Sequence, residues 1–321
     1  MADKQALNAT FFAFRKRDKA VLLPATIAYA VVGVGAAVLF FLLNAQAFGD
    51  YFNWWLGVVG NAAKSPDVPP SPETMMPPQS IAALIPALLL FQLVSYILLA
   101  AYEAACLRGM IHGESGGLFG LTLGADTWRV YFTYWIWLLL LILFYIVCAI
   151  TVGGAVFSIA LGMQSGGQPS ASAVIVPLVL GLVVLIALVY FSVRFAPAAA
   201  TSIARRRFAF FDAWKVTKGR FWALFGSFLL LWVMFVVFII ALEVVLVLAM
   251  AGAAVSAGGH GEAQSAEAAF RAFANPAWAG AVVAFIAVCI VASFLFYIAL
   301  FGVNARAAAL ALEEGKITAA S

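Results

Sequence analysis

Charged residues are scarce in this chain. Aspartate, glutamate, lysine and arginine make up 10% of its 321 residues, whereas hydrophobic residues make up 65%. Because soluble domains carry about 25% charged residues, this composition excludes an ordinary water-soluble domain. The net charge is only +4, and we expect no nucleic acid among the partners.

Cysteine and histidine are also rare. Cys106, Cys148 and Cys289 lie in or at the end of apolar runs, where they suit packing better than a disulfide or a zinc site. His112 and Glu114 spell H-x-E, but the P-C-x-x-C partner of the zinc deaminases is absent, as is the H-E-x-x-H of metalloproteases. We therefore predict a non-enzymatic protein with no catalytic residue, no cofactor and no metal.

Long apolar runs are abundant, and six of them exceed the roughly 20 residues that a helix needs to cross a membrane. Helices satisfy every backbone polar group in lipid, and the runs are too long for β-barrel strands. We therefore predict an all-α polytopic transmembrane bundle, a single domain over 1–321, with three helical hairpins. The predicted membrane helices cover residues 21–47, 81–106, 130–161, 174–195, 221–251 and 280–303.

Basic residues fall on one side of this arrangement. With both termini in the cytoplasm, 16 of the 18 lysines and arginines lie in inner segments, and only Lys64 and Arg271 lie outside. The positive-inside rule thus predicts a multi-pass membrane protein with both termini in the cytoplasm. The first apolar run is 23 residues long, so we predict an anchor rather than a signal peptide.

The connections differ in character on the two sides. The outer loop 48–80 contains Trp54 and Trp55 and then a proline-rich run at 66–78. The prolines predict extended backbone in that run. Mixed basic and aromatic stretches precede the odd-numbered membrane helices, at 9–21, 118–132 and 208–222. Each predicts an amphipathic helix on the inner surface. The even-numbered helices end alike, in "YEAACLRG", "YFSVRFAP" and "FGVNARAA", which indicates a threefold repeat of hairpins.

The run "AWKVTKGRFW" at 213–222 enters a long apolar helix. It resembles the "AW..T.G.FW" pattern of bacterial six-helix integral membrane proteins named after the membrane domain of glycerophosphoryl diester phosphodiesterase, with the YciC-like inner-membrane proteins as relatives. The resemblance implies an integral inner-membrane protein. Some relatives carry a soluble phosphodiesterase domain, which this sequence does not contain, so no catalytic residue is carried over.

Glycine-rich residues 108–129 include His112 but no lysine. A phosphate-binding P-loop requires that lysine, so we interpret the stretch as a connector, with a functional site as the alternative.

Three ionisable residues, Glu103, Arg194 and Glu243, lie within the predicted membrane helices, where a charge is costly. Matching depth predicts an ion pair between Glu103 and Arg194 or Arg306; the alternative is that each side chain reaches the interface separately. Glu243 should face protein or water. It is either a neutral acid that hydrogen-bonds a neighbouring helix or a protonatable group on a transport path.

The strongest surface feature is a basic and aromatic run before the fifth membrane helix. It fixes topology, and it is also a candidate site for anionic lipid headgroups. The leading hypothesis is a protein that engages membrane lipids, or a membrane protein partner, through such segments; the alternatives are a transporter or channel that uses Glu243 and a lipid-modifying enzyme. The candidate headgroup residues are Arg205, Arg206, Arg207, Trp214, Lys215, Lys218, Arg220 and Trp222.

Overall fold

The computed structural model describes residues 8–15, 19–64, 71, 75–117, 119–164, 171–256 and 276–319. Over these residues the chain is helical and contains no β-strand. Six helices, 22 to 34 residues long, have the length and apolar composition to cross a membrane. The predicted all-α polytopic class is confirmed, and the chain is a multi-pass membrane protein.

The helices run further than the apolar patterns predicted. In particular, the second and sixth spanning helices continue to His112 and Glu313 instead of ending at Cys106 and Val303. The third passes through a π-turn, Ala149–Gly153, without ending. In chain order the helices are α1 Phe12–Arg15, α2 Lys19–Leu43, α3 Ala45–Lys64, α4 Gln79–His112, α5 Ala125–Cys148, α6 Gly154–Gln164, α7 Ala171–Phe195, α8 Ala198–Ala204, α9 Ala213–Thr217, α10 Phe221–Ser256 and α11 Pro276–Glu313.

The outer loop differs from its prediction. Residues 48–64, predicted as part of the outer loop, instead belong to α3, an amphipathic helix that contains Trp54 and Trp55. α3 ends at Lys64, two residues before the first proline of the loop. Pro66, Pro69, Pro70 and Pro72 lie outside the described residues.

The predicted inner-surface helices are shorter than expected. The first is the single turn α1, and the third is a 3-10 turn at Phe210–Asp212 followed by the five-residue α9. In the second stretch, residues from Ala125 onward already belong to the spanning helix α5. Helices this short are not stable on their own and depend on contacts with the rest of the protein.

Three of the helices are followed by a residue in the left-handed conformation. They are the second and sixth spanning helices, α4 and α11, and the short helix α8 that follows α7. Gly113, Arg206 and Gly315 each adopt a positive φ, of 69°, 53° and 68°. After α8, the amide of Arg207 donates to the carbonyl of Ser202 at 3.2 Å, and after α11 the amide of Lys316 donates to that of Ala311 at 2.9 Å. Such left-handed caps satisfy the last helical carbonyls.

One compact unit consists of Met1–Ala25, Ala100–Leu229 and Ala299–Ser321. Its core is built from small side chains, which let helix backbones approach closely. The buried alanines include Ala100, Ala101, Ala104, Ala105, Ala198, Ala199, Ala200, Ala204, Ala299, Ala305, Ala307, Ala308 and Ala311.

Helix α1 packs closely against α11 in this unit. A Cβ atom placed on Gly302 would lie 2.7 Å from the Cβ of Ala13 and 2.9 Å from its backbone nitrogen. Thr10 also donates to the hydroxyl of Ser227 at 3.1 Å. The N-terminal turn is therefore held to two spanning helices of the unit.

The second unit consists of Thr26–Leu99 and Leu230–Ile298. Most of its large apolar side chains are exposed, as in a protein whose solvent is lipid. Aromatic contacts connect its helices, with ring centroids 5.9 Å apart for Tyr29 and Phe294 and 4.4 Å apart for Phe235 and Phe296.

Candidate functional site

The basic and aromatic run at 205–222 forms a folded turn between α8 and α10. Its last residues before α10 include Gly219, whose φ of 78° favours glycine. The side chains of Phe210, Ala213 and Val216 point into the core of their unit. The remaining residues of the run divide into a buried set and an exposed set.

Asp212 compensates the charge of the buried Arg205. Its carboxylate pairs with Arg205, whose side chain is only 11% exposed, and with Lys215 at 2.9 Å. Arg207 lies 4.0 Å away. The hydrogen bond from Lys215, together with the charge of Arg205, lowers the pKa of Asp212. This carboxylate is therefore ionised at neutral pH and holds the turn together.

Arg220 makes the second buried pair. Its side chain is 8% exposed and pairs with Glu314, just beyond the end of α11. The hydrogen bond from Lys316 and the charge of Arg220 lower the pKa of Glu314. The pair fastens the start of α10 to the end of α11. Two of the eight candidate headgroup residues, Arg205 and Arg220, thus have their charges compensated inside the protein.

The ring of Trp214 packs against other aromatic rings of the protein. Its ring lies 5.7 Å from that of Phe195 and 6.2 Å from that of Phe191. By contrast, Trp222 is 77% exposed. We name the exposed set the basic aromatic surface, and its members are Arg206, Arg207, Phe208, Phe211, Lys215, Lys218 and Trp222.

The predicted pairing of Glu103 was wrong. Glu103 is buried and accepts a hydrogen bond from the hydroxyl of Tyr134. Arg306 pairs instead with Glu313 at 3.5 Å. Arg194 stacks on aromatic rings and donates to the hydroxyl of Tyr190 at 3.2 Å. Matching depth along the helices was not enough, because a hydroxyl and aromatic faces compete as partners for a buried acid and a cation.

The glycine-rich stretch is organised around Arg108. Its guanidinium donates to the carbonyl of Gly120 at 3.0 Å and to the hydroxyl of Thr122 at 3.2 Å, and it pairs with Asp126 at 3.3 Å. The ring of His112 lies 3.2 Å from the carbonyl oxygen of Ile203. These contacts fold the stretch between α4 and α5.

Residues 113–117, Gly-Glu-Ser-Gly-Gly, match the G-x-S-x-G pattern of hydrolase nucleophile elbows in letters. That elbow places its serine on a sharp turn between a strand and a helix. Here the pattern follows the end of a helix, and Ser115 lies in an exposed loop. The structural context of a hydrolase elbow is therefore missing.

Glu243 lies exposed on α10. A groove in the same unit lies between residues 242–249 of α10 and 281–288 of α11. Its lining is apolar and does not include Glu243. This groove therefore provides no polar path to the carboxylate.

In comparisons with known proteins, no family model, no curated protein and no solved structure matches the chain.

Proposed function

We propose that this chain is a non-enzymatic protein of the bacterial inner membrane that binds anionic lipid headgroups through its basic aromatic surface. The surface faces the cytoplasm, in the orientation that the positive-inside distribution of lysine and arginine predicts. The membrane-domain family that residues 213–222 resemble is an inner-membrane family, and this part of the chain contributes Lys215, Lys218 and Trp222 to the surface.

The observation that carries the proposal is the separation of the basic residues into two sets. Arg205 and Arg220 are buried and compensated by acids, whereas Arg207 and Lys215 have side chains 56% and 65% exposed. Lys218 is exposed and has no acidic partner among the described residues. Arg207 and Lys215 also lie 4.0 and 2.9 Å from the Asp212 carboxylate, but their exposed side chains can still reach headgroups. Each cation near an anionic surface contributes about 1 kcal/mol of attraction.

Exposed aromatic rings accompany the exposed cations. Phe211 and Trp222 are 69% and 77% exposed, and Phe208 is 44% exposed. Large rings on a soluble surface are unfavourable, whereas at a membrane they settle at the level of the headgroups. The combination of cations and rings is typical of interfacial lipid binding.

Removing two of the exposed cations tests this role. We expect Arg207→Gln with Lys218→Gln to weaken phosphatidylglycerol binding about 30-fold, since two cations contribute about 2 kcal/mol. The measurement is a titration of the purified full chain with phosphatidylglycerol, followed by native mass spectrometry, with phosphatidylcholine as the uncharged comparison.

The matched control is Lys64→Gln with Arg271→Gln, which removes the same charge from the predicted outer side. It should bind phosphatidylglycerol like the wild type. If both double variants bind phosphatidylglycerol as the wild type does, the basic aromatic surface does not bind anionic lipid.

A further inference from the structure

Arg194 sits in a frame of aromatic rings near the end of α7. Its guanidinium carbon lies 4.9 Å from the ring centroid of Trp214, 5.2 Å from that of Tyr190 and 5.6 Å from that of Phe221. Its Nη1 donates to the hydroxyl of Thr217 at 3.4 Å. We name Arg194 with these four residues the Arg194 frame. The frame fixes the position and orientation of one cation.

Arg194 differs from other arginines of its unit in having no acid. Arg108, Arg205 and Arg220 each pair with a carboxylate, whereas Arg194 has no acidic partner within the described parts of the chain. Its Nη2 group makes no hydrogen bond to these residues either. A cation on a membrane helix with unused donors is a suitable partner for an anion from outside the chain.

The frame lies where the apolar surface of α7 ends. Val189 is still 38% exposed, whereas Val193 and Phe195 are buried. Aromatic residues concentrate at this level, as in the aromatic belts of membrane interfaces. Lys218 follows Thr217 directly in the chain and supplies an exposed cation beside the half-buried Arg194.

We infer that the Arg194 frame binds the phosphodiester group of an anionic glycerophospholipid. A guanidinium matches phosphate oxygens with two parallel hydrogen bonds, and stacking on rings leaves its N–H edge available for them. The rings lie beside the first part of the acyl chains. This inference rests on the proposed function and assigns one defined headgroup site next to the basic aromatic surface.

Two substitutions at Arg194 test the site in the full chain. Arg194→Lys keeps the charge but loses the planar fork, and Arg194→Gln loses both. We expect each to weaken binding of dihexanoyl phosphatidylglycerol about ten-fold or more. The control is Arg129→Lys, because Arg129 pairs with Asp126; it should bind like the wild type. Inorganic phosphate should fail to displace the lipid at equal concentration.

The outcomes separate this site from the broader role. One outcome is normal binding by Arg194→Lys and Arg194→Gln together with weakened binding by the Arg207 and Lys218 double variant. It overturns the proposal that the Arg194 frame binds the phosphodiester, and it leaves the proposed function standing. Normal binding by all of these variants overturns both. Displacement by equimolar inorganic phosphate overturns the assignment to a lipid.

A second measurement uses the wild-type chain, so it does not depend on whether the variants fold. A phosphatidylglycerol analogue with a diazirine on its headgroup is cross-linked to the protein, and the modified peptides are mapped by mass spectrometry. We expect cross-links within 186–194 and 214–222. Cross-links confined to other segments overturn the site.

Discussion

Replacing Glu314 with alanine is expected to lower the free energy of unfolding by about 3 kcal/mol. The substitution leaves Arg220 buried, with its side chain 8% exposed, and without its carboxylate. Breaking a buried ion pair from one side is costly because the remaining charge has lost both water and partner. Thermal or denaturant unfolding of the full chain in detergent measures the change.

The neighbouring residue provides the control. Glu313 has a side chain 57% exposed and lies 3.5 Å from Arg306, so Glu313→Ala removes the same chemical group at a cost of at most about 1 kcal/mol. Replacing both Arg220 and Glu314 with methionine should recover most of the lost stability. Equal destabilisation by Glu313→Ala and Glu314→Ala would contradict the role of the buried pair.

The lowered pKa of Glu314 also predicts how this contribution depends on pH. It is complete above the pKa of a glutamate in the unfolded chain, about 4.3, and it is lost as the pH falls through the lower folded value. The difference in unfolding free energy between wild type and Glu314→Ala should therefore shrink as the pH falls from about 4.3 through the folded pKa of Glu314.

Replacing Gly302 with alanine is expected to destabilise the protein by about 1 to 3 kcal/mol, the usual cost of overpacking. The new methyl group would lie 2.9 Å from the backbone nitrogen of Ala13 and 3.3 Å from its Cα. Backbone atoms cannot rotate away as a flexible side chain can, so α1 must move from α11. Unfolding of the variant in detergent measures the cost, and limited proteolysis near Ala13 reports the displacement.

Gly280→Ala on the same helix is the matched control, because no atom lies within 4 Å of the added Cβ. It should leave stability unchanged or raise it by up to about 1 kcal/mol, since alanine has the higher helix propensity. If both glycine variants behave alike, the close packing of α1 on α11 is not a source of stability.

The sequence was sufficient for the helical class and for the number of spanning helices, because an apolar run longer than the bilayer leaves few alternatives. It predicted the C-terminal ends of two spanning helices several residues too early. Residues 107–112 and 304–313 look like the polar ends of membrane helices, yet they continue α4 and α11. Alanine-rich packing and ion pairs stabilise these turns, and hydropathy does not register either contribution.

The partners of the charged residues were beyond sequence reasoning. Arg220 and Glu314 are separated by 94 residues, and Arg205 and Asp212 by 7; pattern spacing indicates neither pair. The basic run at 205–220 could be identified as a candidate site, but only the fold separates its buried arginines from its exposed cations. The Arg194 frame likewise depends on Trp214 and Phe221, which follow in later segments.

The most direct test of the account is the sidedness of the basic aromatic surface. Single cysteines replace Lys218 and Asn53, both exposed, in a chain whose three native cysteines are alanine, and intact cells are treated with a membrane-impermeant maleimide. We predict labelling at position 53 in intact cells and labelling at position 218 only after permeabilisation. Labelling of position 218 in intact cells would contradict the cytoplasmic lipid-binding surface.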